Sequence, residues 1–296
     1  MKRDSRHVPI TPKEIIAEAR RCRSAGASIL HIHARNDDES PAWEKEIYAE
    51  IIGGIRDACP DLIISASTSG RKYGAFEQRS DVLNLEDELK PDFGSLTLGS
   101  MNFATQPSIN SPEMIRASAE TMRDRGIVPE LEIFYVGMLE YGHYLIKKGI
   151  LVKPFYVNIL LGSLGTLGAS AENLVSVVRA LPAGAVWAAT GIGRSQFMVN
   201  NLAIAMGGHV RVGLEDSLYY DSAKTRLATN FGLIERLVNV ARSMERDIAS
   251  PDEARKIIGM PSRQVAQATW NQVNLGSMDF DSTDEEPSAE YQAQWQ

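Results

Sequence analysis

A chain of 296 residues, 44% of them hydrophobic and 23% charged, is long enough to bury the core of one large α/β domain. Its formal net charge of −7 argues against nucleic acid as a partner, because phosphate binding needs a basic face. No apolar run reaches about 18 residues, Met1–Pro9 is polar and basic, and Cys22 and Cys59 make no disulfide framework, so no membrane span or secretory leader is read and a reducing cytoplasm is expected.

In chain order, the first element is a helix. Thr11-Pro12-Lys13-Glu14 is a capping box with proline at the first helical position, and Ile15, Ile16, Ala19 and Cys22 follow on one face up to Gly26. Seven strand-like runs come next: Ile29–Ala34, Leu62–Ser67, Phe93–Leu98, Pro129–Val136, Pro154–Leu161, Ala185–Thr190 and His209–Leu214. Amphipathic stretches separate them, with further helix starts at Ser111-Pro112-Glu113 and Ser250-Pro251-Asp252-Glu253 and a helix end at Gly126. A strand followed by a helix, seven times over, predicts a TIM (β/α)8 barrel. The eighth strand should precede the helix at Thr11, but Met1–Ile10 carries no strand pattern, so a barrel with its first strand missing is expected: either the true start lies upstream, the barrel is incomplete, or another segment fills the gap. A seven-stranded open sheet is the alternative.

Two domains are expected, a barrel over 1–260 and an acidic tail over 261–296. Gly276–Gln296 holds Asp279, Asp281, Asp284, Glu285, Glu286 and Glu290 and none of the 31 basic residues. That composition predicts a flexible segment, with Phe280, Tyr291 and Trp295 leaving open an arm onto a neighbouring subunit.

His31 and His33 stand two apart at the C-terminal end of a strand, so both imidazoles face one way and can reach one ion. Such a pair is as often a buried, hydrogen-bonded one. Glu215 is the candidate third ligand, at the end of the last strand, and would lie beside the histidines if the barrel closes. Arg211, four residues earlier, shares its face, and Asp216 beside an arginine and a metal suits a general base. A structural ion-pair network of Arg211, Glu215 and Asp216 is the bland alternative. Ser65–Gly70 and the Thr97–Ser100 loop offer hydroxyls to a carboxylate or phosphate, and Thr190–Gln196 leads into a helix N-terminus with Arg194 in the turn. Glu130 and Glu132 share a strand face, with Glu132 a candidate to reach the site and an ion-paired wall residue the even alternative. His143 and His209 read as core or surface residues, and Met101, Met138, Met198 and Met206 as packing.

The motifs HIHAR, SASTSG, SLTLGSMNF, PELEIFYVG, NILLG, WAATGIGRSQ and VRVGLED fall in this order on seven successive strand ends. The chain thereby resembles the β-keto acid cleavage enzyme family, from about Pro9 to Met260. The resemblance implies a Zn2+-containing TIM barrel, usually tetrameric, that converts a β-keto acid and the co-substrate acetyl-CoA to acetoacetate and a new CoA thioester. It makes His31, His33 and Glu215 the zinc ligands, Asp216 the base oriented by Arg211, and Ser67 and Thr97 the holders of the substrate carboxylate. It sets Arg194 and Gln196 where CoA approaches. Family members open with a strand and a polar loop that this chain lacks, which bears on substrate choice. The alternatives are a metal-dependent hydrolase on the same barrel and an inactive truncated barrel serving as a binding or assembly subunit.

Overall fold

A computed structural model describes residues 2–103 and 106–261. Apart from Pro261, the segment expected to be a flexible tail or oligomer arm lies outside the described residues.

Helix α1 (Pro12–Ala25) starts where its capping box requires: Thr11 accepts from the Glu14 backbone, Glu14 reaches back to the Thr11 backbone, and Gly26 closes the helix in the left-handed region. Strand β1 (Ile29–Ile32) follows, then α2 (Lys45–Ala58), β2 (Ile63–Ala66), the short α3 (Phe76–Ser80) and β3 (Phe93–Thr97). A small antiparallel excursion, β4 (Met101–Asn102) with β5 (Pro107–Ser108), precedes α4 (Pro112–Asp124). The alternation resumes with β6 (Val128–Ile133), α5 (Val136–Lys147), β7 (Tyr156–Leu161), α6 (Ala171–Arg179), β8 (Val186–Gly191), α7 (Gln196–Ala205) and β9 (His209–Val210). Helices α8 (Asn230–Ser243) and α9 (Pro251–Ile258) complete the described chain.

All seven predicted strands exist, are parallel, and pair in the order β1-β2-β3-β6-β7-β8-β9. Their ends differ from the expected runs by one or two residues, and in two strands by more. The run expected over Pro129–Val136 stops at Ile133 because Val136 already opens α5, and β9 keeps only His209 and Val210, since the chain turns at Gly213 instead of extending to Leu214. Strands buried on both faces read as continuous apolar runs, and β7 is buried at every position.

The bottom of the barrel is closed by α9. Ala254, Ile258 and Met260 pack on Ile63, Phe93, Tyr156 and Ala188, residues in the N-terminal halves of four strands. Arg255 of α9 and Arg56 of α2 both bind Asp92, at 2.9 and 2.7 Å, which pins the helix to the barrel floor. Among the described residues β1 and β9 are unpaired with each other and form the two edges of the sheet. Outside them α1 packs against α8. A cavity of about 930 Å³ runs between these edges and up to the strand ends, lined in its lower part by Ile15, Ala19, Leu30, Val210, Leu237 and Ile258. The sheet is therefore curled as in a barrel, with room for one more strand where the eighth was expected.

Two methionines read as packing do not pack. Met101 and Met138 are buried, but Met198 on α7 and Met206 just past its end are 45% and 37% exposed, as α7 has a solvent face that the sequence pattern did not mark.

Candidate active site

On four of the seven parallel strands, polar residues of the barrel interior come in pairs two apart. They are His31 and His33, Ser65 and Ser67, Ser95 and Thr97, and Glu130 and Glu132, with an apolar residue between the two of each pair; His33 and Ser67 lie one residue past β1 and β2 and continue the face of their strand. The register sets them side by side, with His31 opposite Ser65, Ser95 opposite Glu130, and Thr97 opposite Glu132.

His31 and His33 converge. Their Nε2 atoms are 3.2 Å apart, and His33 Nε2 lies 3.0 Å from Glu215 Oε1. One donor atom from each of His31, His33 and Glu215 falls within 4.8 Å of the other two, a separation at which a single ion can be held by all three. The second ring nitrogen of His31 is fixed: Nδ1 lies 2.8 Å from Glu130 Oε2, and Glu130 also accepts from Ser65 and from Asn158 Nδ2 at 3.0 Å. A buried carboxylate on Nδ1–H sets the tautomer that leaves Nε2 free as a ligand. Two imidazoles, one carboxylate and an orienting second carboxylate are the donor set of a catalytic zinc site with an open position. The residues present fit such an ion.

Glu215 reaches the histidines without strand pairing between β1 and β9. It sits in the turn after Gly213, and this turn is tied down on several sides. Gln196 Nε2 donates to Gly213 O at 3.0 Å, Leu214 N donates to Asn230 Oδ1 at 2.9 Å, and Gly193 N donates to Asp216 O at 2.7 Å. The expected common side of Arg211 and Glu215 is present, with Nη2 and Oε2 2.6 Å apart, but through this turn and not through strand alternation.

Arg211 stands among four carboxylates. It contacts Glu215 at 2.6 Å, Asp216 Oδ2 at 3.3 Å, Glu132 Oε1 at 3.4 Å and Glu130 Oε1 at 3.9 Å. Burial opposes its charge, and the four anions overcome that and hold it protonated. Burial likewise opposes ionisation of Glu215, but His33 and Arg211 hold its carboxyl well below the ordinary range. Asp216 behaves differently: burial pushes it up to about 6, Arg211 pulls it down, and the neighbouring Glu215 raises it again. One guanidinium shared among four carboxylates cannot compensate each in full. Asp216 is left as a buried carboxylate able to take up and release a proton near neutral pH. Burial lowers the His33 pKa, keeping that ring neutral; for His31 burial is outweighed by Glu130, which raises it.

Thr97 donates its hydroxyl to Glu132 Oε2 at 2.6 Å, which joins both residues to Arg211. Ser67 is buried just past β2, its Oγ accepting from Ser69 N at 3.2 Å, and it lines the cavity. Arg194 is exposed on the turn before α7. Gln196 is 2% exposed and faces the Gly213 turn, so its amide braces that turn. His143 is exposed on α5 against Ala180 O, and His209 opens β9 at the end away from the ligand cluster. Neither can supply the further ligands that a hydrolase of the His-x-His type recruits.

Sequence reasoning missed Glu130 as the partner of His31, along with Ser65, Asn158 and Arg71, whose Nη2 lies 3.4 Å from Glu215 Oε1. The first two were signalled by the alternation of polar pairs on successive strands.

A family model described as beta-keto acid cleavage enzyme matches residues 1–260. The chain is 40% identical over 256 residues to the 3-keto-5-aminohexanoate cleavage enzyme of Fusobacterium nucleatum subsp. nucleatum, covering 86% of this chain and 91% of that protein. It is 33% identical over 273 residues to the 3-oxoadipate:acetyl-CoA acetyltransferase of Cupriavidus necator, covering 91% and 94%. Among solved structures, apo ObcA superposes with a TM-score of 0.77 at 20% identity over 86% of this chain, which spans 65% of the ObcA chain, a likeness of fold.

Proposed function

From the premise that the chain belongs to the beta-keto acid cleavage enzyme family, we propose that it converts a β-keto acid and acetyl-CoA to acetoacetate and the CoA thioester of the remaining acyl group. The observation that carries this reading is the convergence of a three-donor metal cluster with a buried carboxylate of raised pKa and its arginine.

His31, His33 and Glu215 would hold zinc, whose Lewis acidity would polarise the keto and carboxylate oxygens of the substrate. Asp216 takes the C2 proton of the β-keto acid, and Arg211 orients it and balances the negative charge that develops. The C2 carbanion then attacks the acetyl-CoA carbonyl and expels the CoA thiolate. This thiolate adds to the substrate's own keto carbon, the C2–C3 bond breaks in a retro-Claisen step, and C2 recovers the proton from Asp216. Acetoacetate and the new acyl-CoA leave, and atoms and charges balance. Ser67, Thr97 and Glu132 position the substrate around Arg211, and Arg194 meets CoA at the mouth while Gln196 keeps the Gly213 turn in place.

The test is elemental analysis of the purified chain together with an acetoacetate assay on a panel of β-keto acids. One zinc per chain, a marked loss of zinc in Glu215→Gln with unchanged circular dichroism, and acetoacetate formation are expected. Unchanged zinc in Glu215→Gln would remove that residue from the ligand set, and no acetoacetate from any acid would overturn the activity.

A further inference from the structure

One wall of the cavity above the metal cluster is cationic. Arg71, at the end of the Ser67–Gly70 loop, leans over the cluster, with Nη2 3.4 Å from Glu215 Oε1, Nε donating to Ser69 Oγ at 3.2 Å, and its guanidinium 5.2 Å from the Phe103 ring centroid. Arg35, two residues beyond His33, is half-buried and its one hydrogen bond goes to a neutral acceptor, Glu39 O at 3.2 Å. Beneath the same loop lies Arg79, buried to 7% exposure and bonded to three neutral acceptors: Thr68 O at 2.9 Å, Ile109 O at 3.2 Å and Asn110 Oδ1 at 2.7 Å. Gly70 rests on that guanidinium, and a Cβ there would come within 2.6 Å of Arg79 Nη1. Arg35, Arg71, Lys72 and Arg79 all line the cavity.

The acidic groups nearby do not cancel this wall. Glu130, Glu132 and Asp216 face Arg211, Glu215 is shared by His33, Arg211 and Arg71, and Glu39 keeps its charge beside Arg35 while accepting from the Lys2 backbone at 3.1 Å, so the guanidiniums of Arg35, Arg71 and Arg79 still outnumber the carboxylates on their side of the cavity. A buried guanidinium held only by neutral carbonyls, below a second one with free N–H donors, makes a surface on which an anion gains charge-assisted hydrogen bonds and a cation is repelled. The α-carboxylate of a β-keto acid belongs beside the metal and Arg211 and does not use up this wall.

We infer that the site selects β-keto acids with a second carboxylate at the far end of the acyl chain, and that Arg71 and Arg35 determine this specificity. The inference rests on the proposed function for the identity of the keto acid headgroup. The same cations could instead serve the phosphates of CoA, and the experiment separates the two sources.

Without acetyl-CoA no turnover occurs, so binding can be read alone. Calorimetry on the zinc-loaded full chain would compare three six-carbon acids: 3-oxoadipate, 3-oxohexanoate and 5-amino-3-oxohexanoate. The dicarboxylate should bind about tenfold tighter than 3-oxohexanoate, whose far end is uncharged, or better, with the ammonium-bearing acid weakest. Arg71→Met should remove most of that preference and Arg71→Lys should keep part of it, with acetyl-CoA affinity unchanged in both. Equal or tighter binding of 3-oxohexanoate or of the amino acid analogue overturns the inference, as does an Arg71→Met variant that weakens acetyl-CoA and spares the dicarboxylate. A dicarboxylate preference in binding with no acetoacetate on adding acetyl-CoA would sustain the charge selectivity and sink the activity instead.

Discussion

Asp216 and Glu215 are adjacent carboxylates with opposite tendencies, and the difference lies in their neighbours. Glu215 has His33 and the better share of Arg211, whereas Asp216 is buried against a like charge and its carboxyl is raised to about 6. A base must be unprotonated, so kcat/KM should fall as pH drops below about 6, and a profile flat down to pH 5 would remove Asp216 from the proton transfer. Asp216→Asn should keep its metal and lose turnover by about 10²- to 10⁴-fold. The sign for stability is the reverse of that for activity. The folded chain binds this proton more tightly than the unfolded chain, so the contribution of Asp216 to stability is present below 3.8 and lost as pH rises through about 6. Glu130 acts through His31. Glu130→Gln frees the ring to change tautomer and should weaken metal affinity by about 10- to 100-fold, read by competition with a chelator.

The elements carry the site on their C-terminal ends and their stability at the opposite end. Helix α9 is short, and what holds it is the apolar contact of Ala254 and Ile258 together with the Arg255–Asp92–Arg56 group at the barrel floor. Asp92→Asn would leave two buried guanidiniums without their anion, at a cost of about 3–5 kcal/mol in urea unfolding. Burial opposes ionisation of Asp92, but Arg56 and Arg255 lower its pKa, so its contribution is present above 3.8 and disappears as pH falls through the depressed folded value. Acid should therefore loosen α9, and an Asp92→Asn variant as stable as the parent at pH 7 would show the group to be dispensable.

At the scale of the molecule, the curl of the sheet brings its two edges together at the top while leaving a cavity of about 930 Å³ that extends between them below. Strand β7 is paired on both sides and fully buried, whereas β9 is two residues long and paired on one side only. Amide hydrogen exchange should then be slowest in 156–161 and faster by orders of magnitude in 209–214. Equal protection in both segments would mean that the β9 edge is covered.

Much of this protein is legible in local chemistry. Capping boxes at Thr11 and Ser250 mark helix starts, continuous apolar runs mark buried parallel strands, and polar pairs two apart mark the interior face of four strands. These features depend on residues a few positions apart, so the sequence alone determines them. The partners do not follow from it. His31 meets Glu130 across 99 residues, and His33, just past β1, meets Glu215, in the turn after β9, across 182, while β1 pairs with neither β6 nor β9. That meeting results from twist accumulated over seven strands and from one braced turn after β9, and no local pattern encodes either. Likewise Arg71 and Arg79 are ordinary surface-type residues in the sequence, and they become a cationic wall only when the Ser67–Gly70 loop is folded between them.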